Sequence, residues 1–155
     1  MLKISGKIVS SPIDVSKKHK KQSKWKSTAM VLFNDDFTDY YRWFMKKEFG
    51  LVLNQPLRRS HLTIVNDRTS DMKDGADIMD INGIEVDIYY DPLNVRSNTE
   101  HWWINAESKD VEDVRESLGL SRVPYFGLHL TYGYANNLNM EQSDFSRIYS
   151  IKREG

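Results

Sequence analysis

The chain contains no cysteine. That excludes a disulfide framework, a cysteine nucleophile and any thiolate metal site. It also lacks charge of one sign: 22 Lys+Arg stand against 22 Asp+Glu, a formal net charge of zero. Dedicated duplex-DNA binders carry an overall basic excess, so none is expected here; a small anionic ligand needs only local positive charge. No apolar run reaches the roughly 18 residues of a membrane span, and the first residues show no signal-peptide apolar core. Gly-rich phosphate loops, a Gly-x-Ser-x-Gly elbow and an HExxH motif are all missing. What is present is enough for a core. A hydrophobic fraction of 39% with 12% aromatics, over 155 residues, indicates one soluble, folded domain covering 1–155, expected in the cytoplasm.

Patterning gives the elements. Lys3 to Val9 alternates and reads as a short strand. A basic stretch follows, Lys17 to Lys26 with Trp25 inside it, as a solvated loop or a basic flap over an anionic ligand. Thr28 to Phe33 is a buried strand. Asp35 or Asp36 can cap the next element, in which Phe37, Tyr40, Tyr41, Phe44, Met45 and Phe49 recur at helical spacing before Gly50. Ser60 to Val65 is a strand. Asn82-Gly83 predicts a hairpin joining Ile78–Ile81 to Ile84–Tyr90, and Asp91-Pro92 begins a loop. Trp102 to Ala106 reads as a strand, and Ser108 caps a short helix through Val111, Val114 and Leu118 that ends at Gly119. Tyr125 to Tyr134 and Phe145 to Ile151 complete the strands. Each half offers a helix, a link, and a strand carrying His-Leu-Thr. The class is α+β with a mostly antiparallel sheet.

The chemistry sits in two identical triplets, His61-Leu62-Thr63 and His129-Leu130-Thr131. Side chains alternate along a strand, so His61 shares a face with Thr63, and His129 with Thr131. Two such strands side by side would present two imidazoles and two hydroxyls to one cleft. One neutral histidine can then accept the proton of an attacking hydroxyl, and the other, protonated, can supply the departing oxygen. The threonine hydroxyls can donate to the non-bridging phosphoryl oxygens, where charge develops. Two of only four histidines fall in this repeated context, which chance composition does not readily supply. A zinc site from His19, His61, His101 and His129 is the competing use. It lacks any short ligand spacing, so no metal and no cofactor are expected.

The motifs SHLTIV and GLHLTYGY resemble the two His-x-Ser/Thr repeats of the two-histidine phosphoesterase superfamily. The separation of the two histidines and the pattern Leu118-Gly119-Leu120 followed by Pro124 are similar to that family as well. The resemblance spans Thr28 to Ile151. It implies a bilobal fold with pseudo-twofold symmetry about a central groove, with His61 and His129 as acid and base and Thr63 and Thr131 as phosphate binders. Phe49-Gly50-Leu51, Pro56-Leu57 and the Trp102-Trp103 strand look most like the phage anti-CBASS nucleases, which degrade cyclic oligonucleotide signals of bacterial immunity. That likeness implies metal-independent cleavage of 3′–5′ bonds in cyclic di- and trinucleotides such as cyclic GMP–AMP, in the bacterial host cytoplasm. An RNA-processing esterase acting on 2′,3′-cyclic phosphates or 2′–5′ bonds is a second reading, and a non-enzymatic nucleotide sponge a third. For the substrate, Trp25, Trp102, Trp103, Tyr132 and Tyr134 are candidates to stack on bases. Arg58 could meet phosphate, and Glu141 could accept from an adenine amino group.

Overall fold

A strand alternating apolar and polar residues buries one face, and among the described residues every strand finds an antiparallel neighbour. In a computed structural model, which describes residues 1–11, 28–56, 60–67, 69–98 and 100–135, the elements are β1 (Leu2–Ser10), β2 (Ala29–Leu32), α1 (Asp36–Phe49), β3 (His61–Val65), β4 (Glu85–Ser97), β5 (His101–Glu107), α2 (Lys109–Ser117) and β6 (Leu128–Tyr134). The strands form one six-stranded sheet of order β3-β2-β1-β4-β5-β6. Adjacent strands are all antiparallel. The order strand-strand-helix-strand occurs twice, and β1 and β4 pair at the centre. The last strand of each unit therefore lies at a sheet edge. These two edges, β3 and β6, touch, so the sheet curls until it nearly closes.

The larger core cluster lies under β1, β2, β3, β4 and β6 and includes Ile8, Val31, Leu62, Ile64, Val86, Ile88 and Leu130, with Val111, Val114 and Leu118 from the α2 region. A second cluster joins Tyr41 and Met45 of α1 to Trp102, Ile104 and Tyr132. The α1 periodicity accounts for its buried residues, and Gly50 at φ 65 ends the helix, with Gly50 N–H donating to the Lys46 carbonyl and Leu51 N–H to the Met45 carbonyl. Ser108 caps α2 as its hydroxyl accepts the Val111 N–H. No helix among the described residues is long and apolar enough to cross a membrane.

Four expectations change. Tyr125 and Phe126, expected to begin the last described strand, form a turn before β6. Ile78–Ile81 is a 3-10 turn, not the first strand of a hairpin. Asp77 accepts the Met79 N–H and Asp80 accepts the Asp77 N–H, so a local capping box uses the groups that a ladder would need. Asn82-Gly83 still turns the chain, with Gly83 N–H donating to Ile8 O and Asn82 Oδ1 accepting from Ser10 N–H. Asp91-Pro92 lies inside β4, where the register shifts between Tyr90 and Val95; a bulge tolerates a residue without an N–H. Asp35 occupies the N-cap position of α1, but its carboxylate accepts from Ser60 N–H instead of capping. The Phe145–Ile151 strand and the Lys17–Lys26 stretch lie outside the described residues.

Candidate functional site

The start of β3 is held by the start of α1. Phe33 N–H donates to Ser60 O at 2.9 Å, Ser60 N–H donates to Asp35 Oδ1 at 3.0 Å, and the Thr38 and Ser60 hydroxyls meet at 2.6 Å. His61, the next residue, is thus fixed in direction at its N-terminal side. Along β3, Leu62 and Ile64 are buried, whereas His61 and Thr63 are half-buried on the opposite face. Along β6, Leu128 and Leu130 are buried, and His129 and Thr131 are half-buried. The period of two delivers each histidine with its own threonine.

The end of β6 is pinned by exchange of backbone hydrogen bonds with Asn54: Asn54 N–H donates to Tyr134 O at 2.8 Å and Tyr134 N–H to Asn54 O at 3.0 Å. Arg42 Nη1 of α1 donates to Tyr132 O at 2.9 Å. One buried side chain then ties β3 to the approach of β6. Arg115 of α2, 1% exposed, donates to Ile64 O at 2.9 Å, to Ser121 O at 2.7 Å and to Asp67 Oδ1 at 2.9 Å.

The curled sheet leaves a cavity of about 720 Å³ between the two edges, and His61, Thr63, His129 and Thr131 all line it. That volume is within the roughly 300–1,000 Å³ typical of small-molecule sites. Asn66, Asp67, Asn98, His101, Trp103 and Tyr134 contribute further walls, and Tyr125 and Phe126 stand on the turn before β6. No Lys or Arg is present among the described lining residues.

His129 has the best-defined surroundings. Its Nδ1 lies 3.4 Å from the Gly127 carbonyl, and the Trp103 ring meets it edge-on at 6.4 Å. A proton on Nδ1 would be donated to that carbonyl and leave Nε2 as an acceptor. Gly127 has φ +70, a conformation that glycine adopts without strain. Burial pushes the His129 imidazole below its ordinary value; nearby His101 adds to this, and the Gly127 carbonyl opposes it. His101 packs its ring on Tyr134 at 4.8 Å, and Trp103 Nε1–H donates to Asn105 Oδ1 at 3.1 Å. Among the described residues, no group of three or more His, Asp or Glu side chains gathers as a metal-holding cluster.

The fold brings both triplets together, together with Trp103 and Tyr134. It does not bring Trp102 or Tyr132, and both stacking assignments are corrected. Each is 0% exposed, in the second core cluster with Tyr41 and Met45. Trp102 faces away from the cavity because its neighbour Trp103 faces into it, and Tyr132 follows Thr131 onto the core face. Burial of the Tyr132 phenol pushes its pKa far up, as expected for a hydroxyl withdrawn from water. Trp25, Arg58 and Glu141 lie outside the described residues.

Sequence reasoning treated His101 only as a metal ligand, and it placed Tyr125 and Phe126 at the start of a strand without a role in the site. The signal for these two was the local sequence Pro124-Tyr125-Phe126-Gly127, where two aromatics occupy a turn and belong to no apolar period. Compared with known proteins, the chain matches no family model, no curated protein and no solved structure.

Proposed function

We propose that the chain is a phosphodiesterase of the two-histidine type, acting without a metal on 3′–5′ bonds of cyclic di- and trinucleotides. The observation that supports this most is the convergence of the two His-Leu-Thr triplets, one from each sheet edge, on a single cavity. The repeated strand-strand-helix-strand order is compatible with the bilobal, pseudo-twofold fold that the motifs imply. The choice of cyclic nucleotides, and with it a role in phage evasion of CBASS immunity inside the bacterial cytoplasm, rests on the sequence resemblance alone.

In the proposed reaction the ribose 2′-hydroxyl attacks the adjacent phosphorus. The P–O5′ bond breaks, giving a 2′,3′-cyclic phosphate and a free 5′-hydroxyl. One histidine takes the 2′-hydroxyl proton and the other gives a proton to O5′. His129, which burial biases toward its neutral form, suits the base, and that leaves His61 as the acid. Thr63 and Thr131 donate to the non-bridging oxygens as the phosphorane forms, an interaction that strengthens in the transition state. Water then opens the cyclic phosphate with the two histidine roles exchanged.

The test is incubation of wild type, His61→Ala and His129→Ala with a panel of cyclic di- and trinucleotides in excess EDTA. Each variant is expected to lose about 10²–10⁴-fold in kcat, the usual contribution of a positioned acid or base. Full activity in either variant, or complete loss with EDTA alone, overturns the mechanism. Cleavage confined to linear 2′,3′-cyclic ends or 2′–5′ bonds would point to RNA processing, and intact ligand recovered from denatured protein to a sponge.

A further inference from the structure

Tyr125 and Phe126 are the most exposed aromatics among the described residues, at 94% and 82%, yet they stand at the cavity that holds both triplets. Their backbone is not loose. Gly127 N–H donates to Pro124 O at 2.9 Å, which makes Tyr125 and Phe126 the two central residues of a tight turn leading directly into β6. Such corners ordinarily carry Gly, Asn, Asp or Ser. The two rings meet edge-to-face, with centroids 4.8 Å apart and planes at 89°, so the edge of one covers a single face of the other and both rings stay largely exposed to solvent. Packing within the fold gives no reason for two rings here.

The charge of the cavity supplies the second argument. An anionic substrate would find no Lys or Arg among the described lining residues, so ring faces join the Thr63 and Thr131 hydroxyls and the histidines as the sources of affinity those residues offer. Trp103 adds a third ring, held by its hydrogen bond to Asn105. Aromatic side chains bind unpaired bases by stacking, because every base has a π face.

Resting on the phosphodiesterase reading above, we infer that the Tyr125–Phe126 turn is a base-stacking jaw that captures a nucleobase of the substrate, purines in preference to pyrimidines, beside the two histidines. Stacking strengthens with ring area, which sets the purine preference.

Steady-state cleavage of cyclic di-AMP and cyclic di-UMP by wild type, Tyr125→Ala, Phe126→Ala and the exposed off-site control Trp43→Ala tests this. Both jaw variants are expected to raise KM for cyclic di-AMP by about 5- to 150-fold, the range that stacking of one base supplies. Their kcat should change less than about twofold, and Phe126→Tyr should restore KM. The control should match wild type. An unchanged KM in both jaw variants overturns the inference, as does a fall in kcat at constant KM, which would mean distortion of the His129 strand. A change in sedimentation in place of a change in KM would reassign the rings to protein contact and overturn it as well. If wild type cleaves neither these two compounds nor any other member of the cyclic di- and trinucleotide panel, the phosphodiesterase reading fails by itself. Calorimetric titration of cyclic di-AMP and of inorganic phosphate then decides the jaw: binding of the nucleotide that the alanine variants lose supports it, and no nucleotide binding by wild type overturns it.

Discussion

Replacing Arg115 by methionine removes one guanidinium and leaves three acceptors to find other partners. The methionine stem keeps most of the buried aliphatic volume, so little of the effect comes from a cavity. Breaking a buried ion pair costs about 3–5 kcal/mol when the remaining charge stays buried. Here it does not stay buried: the Asp67 side chain is 30% exposed and can rehydrate, so its share falls to the roughly 0–1 kcal/mol of a surface pair. The Ile64 carbonyl, in contrast, is bonded in a buried setting, and an unmet buried acceptor costs about 1–3 kcal/mol. The Ser121 carbonyl belongs to an exposed residue and can turn to water. The total is about 1–4 kcal/mol, or about 2–16 °C in Tm for a chain of this length. Urea unfolding followed by far-UV circular dichroism measures it, with an unchanged slope showing that the native state is otherwise intact. Arg115→Lys should recover less than half of the loss, since an ammonium cannot span three acceptors in a plane. Asp67→Asn should cost under about 1 kcal/mol. A loss under about 1 kcal/mol in Arg115→Met would refute the tie between β3 and the approach to β6.

Two further outcomes are expected. His129 should titrate below the ordinary imidazole value of about 6.5 when followed by its Cε1 proton, since burial disfavours its cation. Because the unfolded chain then takes up this proton first as pH falls, the stability contribution is full above about 6.5 and is lost between there and the lower folded value; His129→Gln should flatten that slope in urea titrations, and a folded midpoint at or above 6.5 contradicts the burial argument. Gly133→Ala would place a Cβ 2.9 Å from Leu53 Cβ, and such overpacking should cost about 1–3 kcal/mol in the same unfolding assay; no loss would mean that the Leu53 segment yields freely.

The elements whose outcome depended on local pattern were readable in advance. Alternation gave the faces of β3 and β6, and α1 followed from aromatics at helical spacing closed by Gly50. Tyr132 was readable too: the alternation that groups His129 with Thr131 already sends it to the core, and its aromaticity pointed elsewhere. Trp102 and Trp103 were not separable. Alternation puts them on opposite faces, but which one meets the cavity depends on the β5–β6 register, which shifts between those two residues. The Ile78–Ile81 turn was misread because Asn-Gly signals a reversal without saying what precedes it. Strand β4 was cut short because Pro92 suggested an end, whereas a register shift carries the ladder past it. Tyr125 and Phe126 have no periodic signature, and only their joint position at a cavity gives them meaning.

Identical triplets need not have identical chemistry, and the sheet order explains why. Each triplet strand ends its strand-strand-helix-strand unit, and the units join through β1 and β4, so β3 and β6 are as far apart in the sheet as they can be. The cavity exists only because curvature returns one edge to the other, and neither unit contains it alone. Once met, the edges have different neighbours. On the β6 side, His129 lies against Trp103, and its burial, with nearby His101, disfavours its cation more than the Gly127 carbonyl favours it. On the β3 side, the residue before His61 is clamped by Asp35 and Thr38 of the α1 start. A proton-transfer pair needs one member neutral and one charged at the same pH. On the proposed reading, a repeated motif supplies two equivalent imidazoles, and the packing of the β6 edge biases one of them, His129, toward the neutral state that a base needs.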